Sequence, residues 1–141
     1  MKVTFNDAEF RWMRNDRTSG VAAYFRRAGV VVAASQRRRA AVSQDGSHGR
    51  PSGYMRDRIR VDEHWDARGQ IVDVGTDART PDGKPYPLFV EYGTPPHVIE
   101  SHGDYPLRNA ATGQVFGRRV QHPGTSPQPF LRPSLFDMPR P

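Results

Sequence analysis

The sequence predicts an α+β fold: a long N-terminal helix packed on a small, mostly antiparallel β-sheet, with Pro/Gly-rich loops and a short C-terminal helical turn. Three observations carry that expectation. From Val21 to Val42 apolar and small residues recur at helical spacing, from Tyr54 the period changes to two, and twelve of the thirteen prolines lie after residue 80. A length of 141 residues suits one domain, helical over residues 1–42, β-rich over 54–125 and ending in an arm over 126–141.

Lys2 to Phe5 reads as an extended entry, and Asn6 or Asp7 can cap a brief helix through Phe10, Trp12 and Met13. Asp16 or Thr18 is then available to cap the long helix. Its face is Val21, Phe25, Ala28, Val32, Ser35, Arg39 and Val42, at alternating spacings of four and three. Gly29 weakens the middle of that helix by about 1 kcal/mol relative to Ala, so close packing on a sheet must compensate.

Ser43 to Gly53 reads as a loop and Tyr54 to Trp65 as a strand. Asp66 to Gly69 turns the chain into a second strand, Gln70 to Gly75, with Ile71 and Val74 as its core residues. Tyr86 to Tyr92 is a short apolar element that fits either a helical turn or a strand. Gly93-Thr94 closes it and Pro95-Pro96 stiffens the next few residues. His97 to Glu100 suits a strand, Asp104 to Ala110 and Gln114 to Gln121 a hairpin around Thr112-Gly113, and Ser134 to Met138 a terminal helical turn.

The composition limits what such a chain can do. Without cysteine there is no disulfide or thiolate site, and a hydrophobic fraction of 35% with a mean hydropathy of -0.76 points to a small core that neighbours help to stabilise. The net charge of +6 is uneven: residues 1–60 carry 13 Lys or Arg against 5 Asp or Glu, and residues 61–141 carry 8 against 10. Nineteen of the 21 basic residues are Arg, which suits bidentate pairing with carboxylates or phosphates. Arg26, Arg27, Arg37, Arg38 and Arg39 are the candidates for contact with DNA or an acidic partner. No membrane-spanning or signal segment is evident, and a soluble protein made in a cytoplasm is expected.

No catalytic set stands out. There is no nucleophile elbow, no paired-histidine zinc motif and no glycine-rich phosphate loop, so no enzyme activity, cofactor or metal is expected. His97 and His102 lie five residues apart, on opposite faces of a strand, and His97 and His122 read better as partners of loop backbone. Glu91 and Glu100 flank the Gly-Thr-Pro-Pro turn, where ion pairing to arginine outweighs a paired-carboxylate role.

Several segments, in this order, resemble a known family. Ser52-Gly53-Tyr54-Met55-Arg56-Asp57-Arg58-Ile59, Val90-Glu91-Tyr92-Gly93-Thr94, Pro96-His97-Val98-Ile99, His122-Pro123-Gly124 and Pro129-Phe130-Leu131-Arg132-Pro133 come after a long basic helix. The chain so resembles, from about residue 8 to residue 136, the gene-product-ten-like neck or tail-completion proteins of long-tailed bacteriophages. It departs from their pattern at Ser52-Gly53, where Thr-Gly is usual, and in a shortened C-terminal helix. The resemblance implies a structural virion protein of the head-tail junction, forming a homo-oligomeric ring of six-fold symmetry. Its partners would be the head connector or stopper and the tail terminator or tail tube, with genomic DNA passing nonspecifically through the lumen. Glu91, Tyr92, Gly93, Thr94, His97, His122, Pro123, Gly124, Pro129, Phe130, Leu131 and Arg132 are then the expected protomer or ring contacts, with Phe130 and Leu131 as the anchors. The alternative is a nonspecific nucleic-acid-binding module that uses the Arg-rich helix.

Overall fold

The computed structural model describes residues 6–42, 51–109 and 112–140; the expected entry strand at 2–5 and most of the loop at 43–53 lie outside the described residues. The fold is α+β, with a long N-terminal helix, small antiparallel sheets and a short C-terminal helix. Helix α1 (Asp7–Asn15) is capped by Asn6, whose side chain accepts from the amides of Ala8 and Glu9. Helix α2 (Gly20–Arg39) begins one step later than expected, because Ser19 is the cap and its hydroxyl accepts from Ala22. Asp16 instead holds the preceding turn through the amide and hydroxyl of Thr18.

Strands β1 (Ile59–Asp66) and β2 (Gly69–Thr76) form the hairpin on which α2 lies, in register from Ile59↔Thr76 to Asp66↔Gly69. Val61 of β1 and Val72 and Val74 of β2 meet α2 at Gly29, where a Cβ would stand 2.7 Å from Val72 and 3.0 Å from Val61. Glycine at this position is therefore a packing residue. The buried stripe of α2 consists mostly of small residues, Ala22, Ala28, Gly29, Val32, Ala33, Ser35 and Gln36. Ala28, Val32 and Ser35 were expected there, but Val21 and Phe25 are exposed, since small side chains alone allow the hairpin this close.

Two further expectations need correction. The alternation from Tyr54 does not extend β1: Tyr54–Asp57 is a helical turn, α3, entered through left-handed Gly53 and closed by the Asp57 amide on the Gly53 carbonyl. That turn points Met55 into the core. Of the two core residues expected on β2, Val74 packs on the core but Ile71 does not, because residues three apart on a strand face opposite ways; Val72 and Val74 share the α2 side.

After the hairpin the chain forms helix α4 (Pro87–Tyr92), then strands β3 (His97–Glu100), β4 (Leu107–Arg108), β5 (Val115–Gly117) and β6 (Arg119–His122). The expected hairpin around Thr112-Gly113 is present as β4–β5, but its second arm divides, and β6 pairs with β3. The chain ends in helix α5 (Leu131–Ser134) and a 3-10 turn, Leu135–Asp137.

The main core cluster is small: Ala33, Ala40, Met55, Ile59, Ala78 and Phe130, flanked by half-buried Val61, Val74, Tyr86, Val90 and Leu131. It joins α2, the start of the hairpin and the C-terminal arm. No helix among the described residues is long and apolar enough to cross a membrane.

Candidate functional site

The two segments expected to form contacts, around Gly93–Glu100 and His122–Pro133, lie against each other along a continuous seam. It starts at Glu91, which α4 directs inward. Pro87 opens that helix at a position where no amide is needed, and Gly93, at φ 70°, ends it. Glu91 is only 1% exposed. One carboxylate oxygen accepts from the amides of Phe130 (2.8 Å) and Leu131 (2.9 Å), and the other from the amide and Nε of Arg132, both at 3.1 Å.

Those three amides are the unpaired donors at the start of α5, so Glu91 caps a helix forty residues away in sequence. Burial works to raise the pKa of Glu91, but the amides of Leu131, Phe130 and Arg132 and the Arg132 guanidinium outweigh it, and the net shift is downward. The carboxylate is thus a fully engaged acceptor and has no free lone pair to offer as a base. Arg132 also stands 4.7 Å over the Tyr92 ring, and the Gln128 amide donates to the Val90 carbonyl at 2.8 Å.

Beyond α4, Thr94 and Thr125 exchange backbone hydrogen bonds at 3.1 Å in both directions, and their hydroxyls meet at 3.0 Å. The glycines on either side permit this approach. A Cβ on Gly93 would lie 2.4 Å from the Thr125 carbonyl oxygen, and one on Gly124 2.2 Å from that of Thr94; both have positive φ. Further along, His97 faces His122 with ring centroids 4.9 Å apart. Each ring also holds loop backbone, as expected: His97 Nδ1 contacts the Pro95 carbonyl at 2.9 Å, and His122 Nδ1 accepts from the Gly124 amide at 3.0 Å. At the far end Glu100 pairs with Arg119 at 3.4 Å. Glu91 and Glu100 therefore each have their own arginine and do not form a carboxylate pair.

One expected role changes. Phe130 is 0% exposed and fills the chain's own core, so it is not an anchor for a neighbour; Leu131 is half-buried beside it. The three glutamate-bound amides and the rigid prolines draw the ring inward. Pro123 and Pro129 remain exposed, and Tyr92 is exposed beneath its arginine.

The Arg-rich helix divides in the same manner. Arg26 pairs with Glu63 at 3.3 Å and donates to the Arg17 carbonyl, Arg37 donates to the Ile59 carbonyl, and Arg39 pairs with Asp137 at 3.1 Å. Arg27 and Arg38 are exposed and form no ion pair among the described residues.

Sequence reasoning missed the network that holds the chain's last turn on α2. Asp137 accepts from the Ser35 hydroxyl and from Arg39, which keep its pKa below the usual carboxylate value, and the Tyr24 hydroxyl donates to the Pro139 carbonyl at 2.7 Å. No local signal marks such pairs, since about a hundred residues separate the partners. Asp77 was also missed. It receives both nitrogens of a bidentate Arg58 at 2.7 Å and Arg60 at 2.6 Å, and the Arg58 hydrogen bonds and both charges, against some burial, lower its pKa to about 2. No cluster of three or more His, Asp or Glu side chains suited to a metal occurs among the described residues. No family model, curated protein or solved structure matches this chain.

Proposed function

We propose that this chain is a structural subunit of a homo-oligomeric ring at the head-tail junction of a tailed bacteriophage, joining the head connector to the tail and giving passage to DNA. The observation that carries the reading is the surface that the described residues leave open.

Much of that surface is apolar. Phe10, Phe25, Phe89, Ile99, Phe116 and Phe136 are all exposed, and all four residues of β3 are open to solvent on a ribbon only two strands wide. Two-stranded ribbons gain independent stability only when something covers them. The place of assembly is inferred from the ordered resemblance of Val90–Thr94, His122–Gly124 and Pro129–Pro133 to neck proteins. The seam gives these motifs a physical purpose, since it presents a preformed surface that loses little entropy on docking. Mass photometry and negative-stain microscopy of the purified protein, alone and with a connector protein, test the reading. Closed rings are the expected result, and a monomer under every condition contradicts it.

A second reading, a nonspecific nucleic-acid contact, is favoured by exposed Arg27 and Arg38, neither of which forms an ion pair among the described residues. It predicts DNA affinity that falls with salt, and a slope that Arg27→Gln with Arg38→Gln flattens by about 2.

A further inference from the structure

The histidine pair in the seam carries more chemistry than a stacked contact requires. A carbonyl oxygen only accepts, so His97, which meets the Pro95 carbonyl through Nδ1, carries its proton there. A backbone amide only donates, so His122, which meets the Gly124 amide through Nδ1, keeps a lone pair there and its proton on Nε2. When neutral, the two rings are therefore opposite tautomers. Protonation of His97 at Nε2 leaves its bond to Pro95 intact. Protonation of His122 has only Nδ1 to use, and it replaces an acceptor with a donor directed at another donor. It also sets two cations side by side, their rings tilted by 31° with centroids 4.9 Å apart.

We propose that His97 and His122 form a proton-operated latch, in which protonation of both rings frees the Gly124 turn and loosens residues 124–130 from α4. The turn is well placed for this. A Cβ on Gly124 would collide with Thr94 and Pro95, and Thr125, the next residue, carries the bridge to Thr94. The charged groups on the elements around the pair are already committed: Glu100 of β3 to Arg119 of β6, Glu91 of α4 to Arg132, and Asp104 to Arg118. His102 lies in the turn after β3. Among the described residues neither ring pairs with a carboxylate, so only solvent screens the second positive charge. The latch does not depend on ring assembly and can be read in any oligomeric state.

The test is amide hydrogen exchange on the full chain between about pH 7.5 and 5.5, corrected for intrinsic rates, with nitrogen-15 spectra of the histidine rings. Protection of the Gly124–Phe130 amides should fall by about tenfold as His122 Nδ1 takes its proton. His122→Asn should hold protection constant, because an asparagine oxygen accepts from the amide two residues on and does not titrate. Wild-type protection that ignores the protonation of His122, a His122 that stays neutral throughout, or an equal loss in the asparagine variant would each overturn the proposal.

Discussion

Glu91 and Arg132 meet at 3.1 Å, one side chain almost wholly buried and the other 61% exposed, so the pair joins the interior of α4 to the surface of the C-terminal arm. The guanidinium is the lesser part of the arrangement, because solvent screens its charge. The three backbone amides on the carboxylate are the greater part. Glu91→Ala should therefore cost about 3 kcal/mol in urea denaturation, and Arg132→Ala less than about 1 kcal/mol.

The same carboxylate sets a pH dependence. Its folded-state pKa lies below the ordinary value of 4.5, so its contribution to stability is complete above that value and is lost as pH falls through the folded pKa. Stability should decline below about pH 4.5 in the wild type. In Glu91→Gln the decline should be shallower, from a lower starting point, as followed by circular dichroism across urea titrations.

Gly93 and Gly124 should each resist substitution. Alanine at either combines positive φ with a Cβ less than 2.5 Å from a carbonyl oxygen. A loss of about 3 kcal/mol or more is expected, large enough to be visible as a fall in Tm. Gly29→Ala is the instructive contrast. It gains about 1 kcal/mol of helix propensity but overpacks against Val72 and Val61, and a net loss of about 1 kcal/mol is expected.

Phe136 separates folding from assembly. At 90% exposure it contributes little to the isolated chain, so Phe136→Ser should leave stability within about 0.5 kcal/mol. If its ring is buried between ring subunits, the same substitution should lower the oligomer fraction in mass photometry. Unchanged assembly would assign Phe136 to the outer surface.

Periodicity and turn chemistry make the fold class legible. The spacing from Val21 to Val42 marks α2, and Asp66–Gly69 marks the hairpin, because both are local signals. Tyr54–Asp57 reads as a strand because a single helical turn is too short to show its own period, and only left-handed Gly53 marks its start. In the candidate site, the motifs at Glu91–Thr94 and His122–Arg132 are visible as rigid, polar segments. That they pair with each other, and that Phe130 turns inward, depends on a carboxylate finding amides about forty residues away, which no window on the sequence contains.

Phe130 closes a core whose other members are Ala33, Ala40, Met55, Ile59 and Ala78. On the ribosome, the helix and hairpin emerge long before this aromatic plug does. Stable folding should therefore wait for that arm, because the core partners of Phe130 lie 52 to 97 residues earlier in the chain.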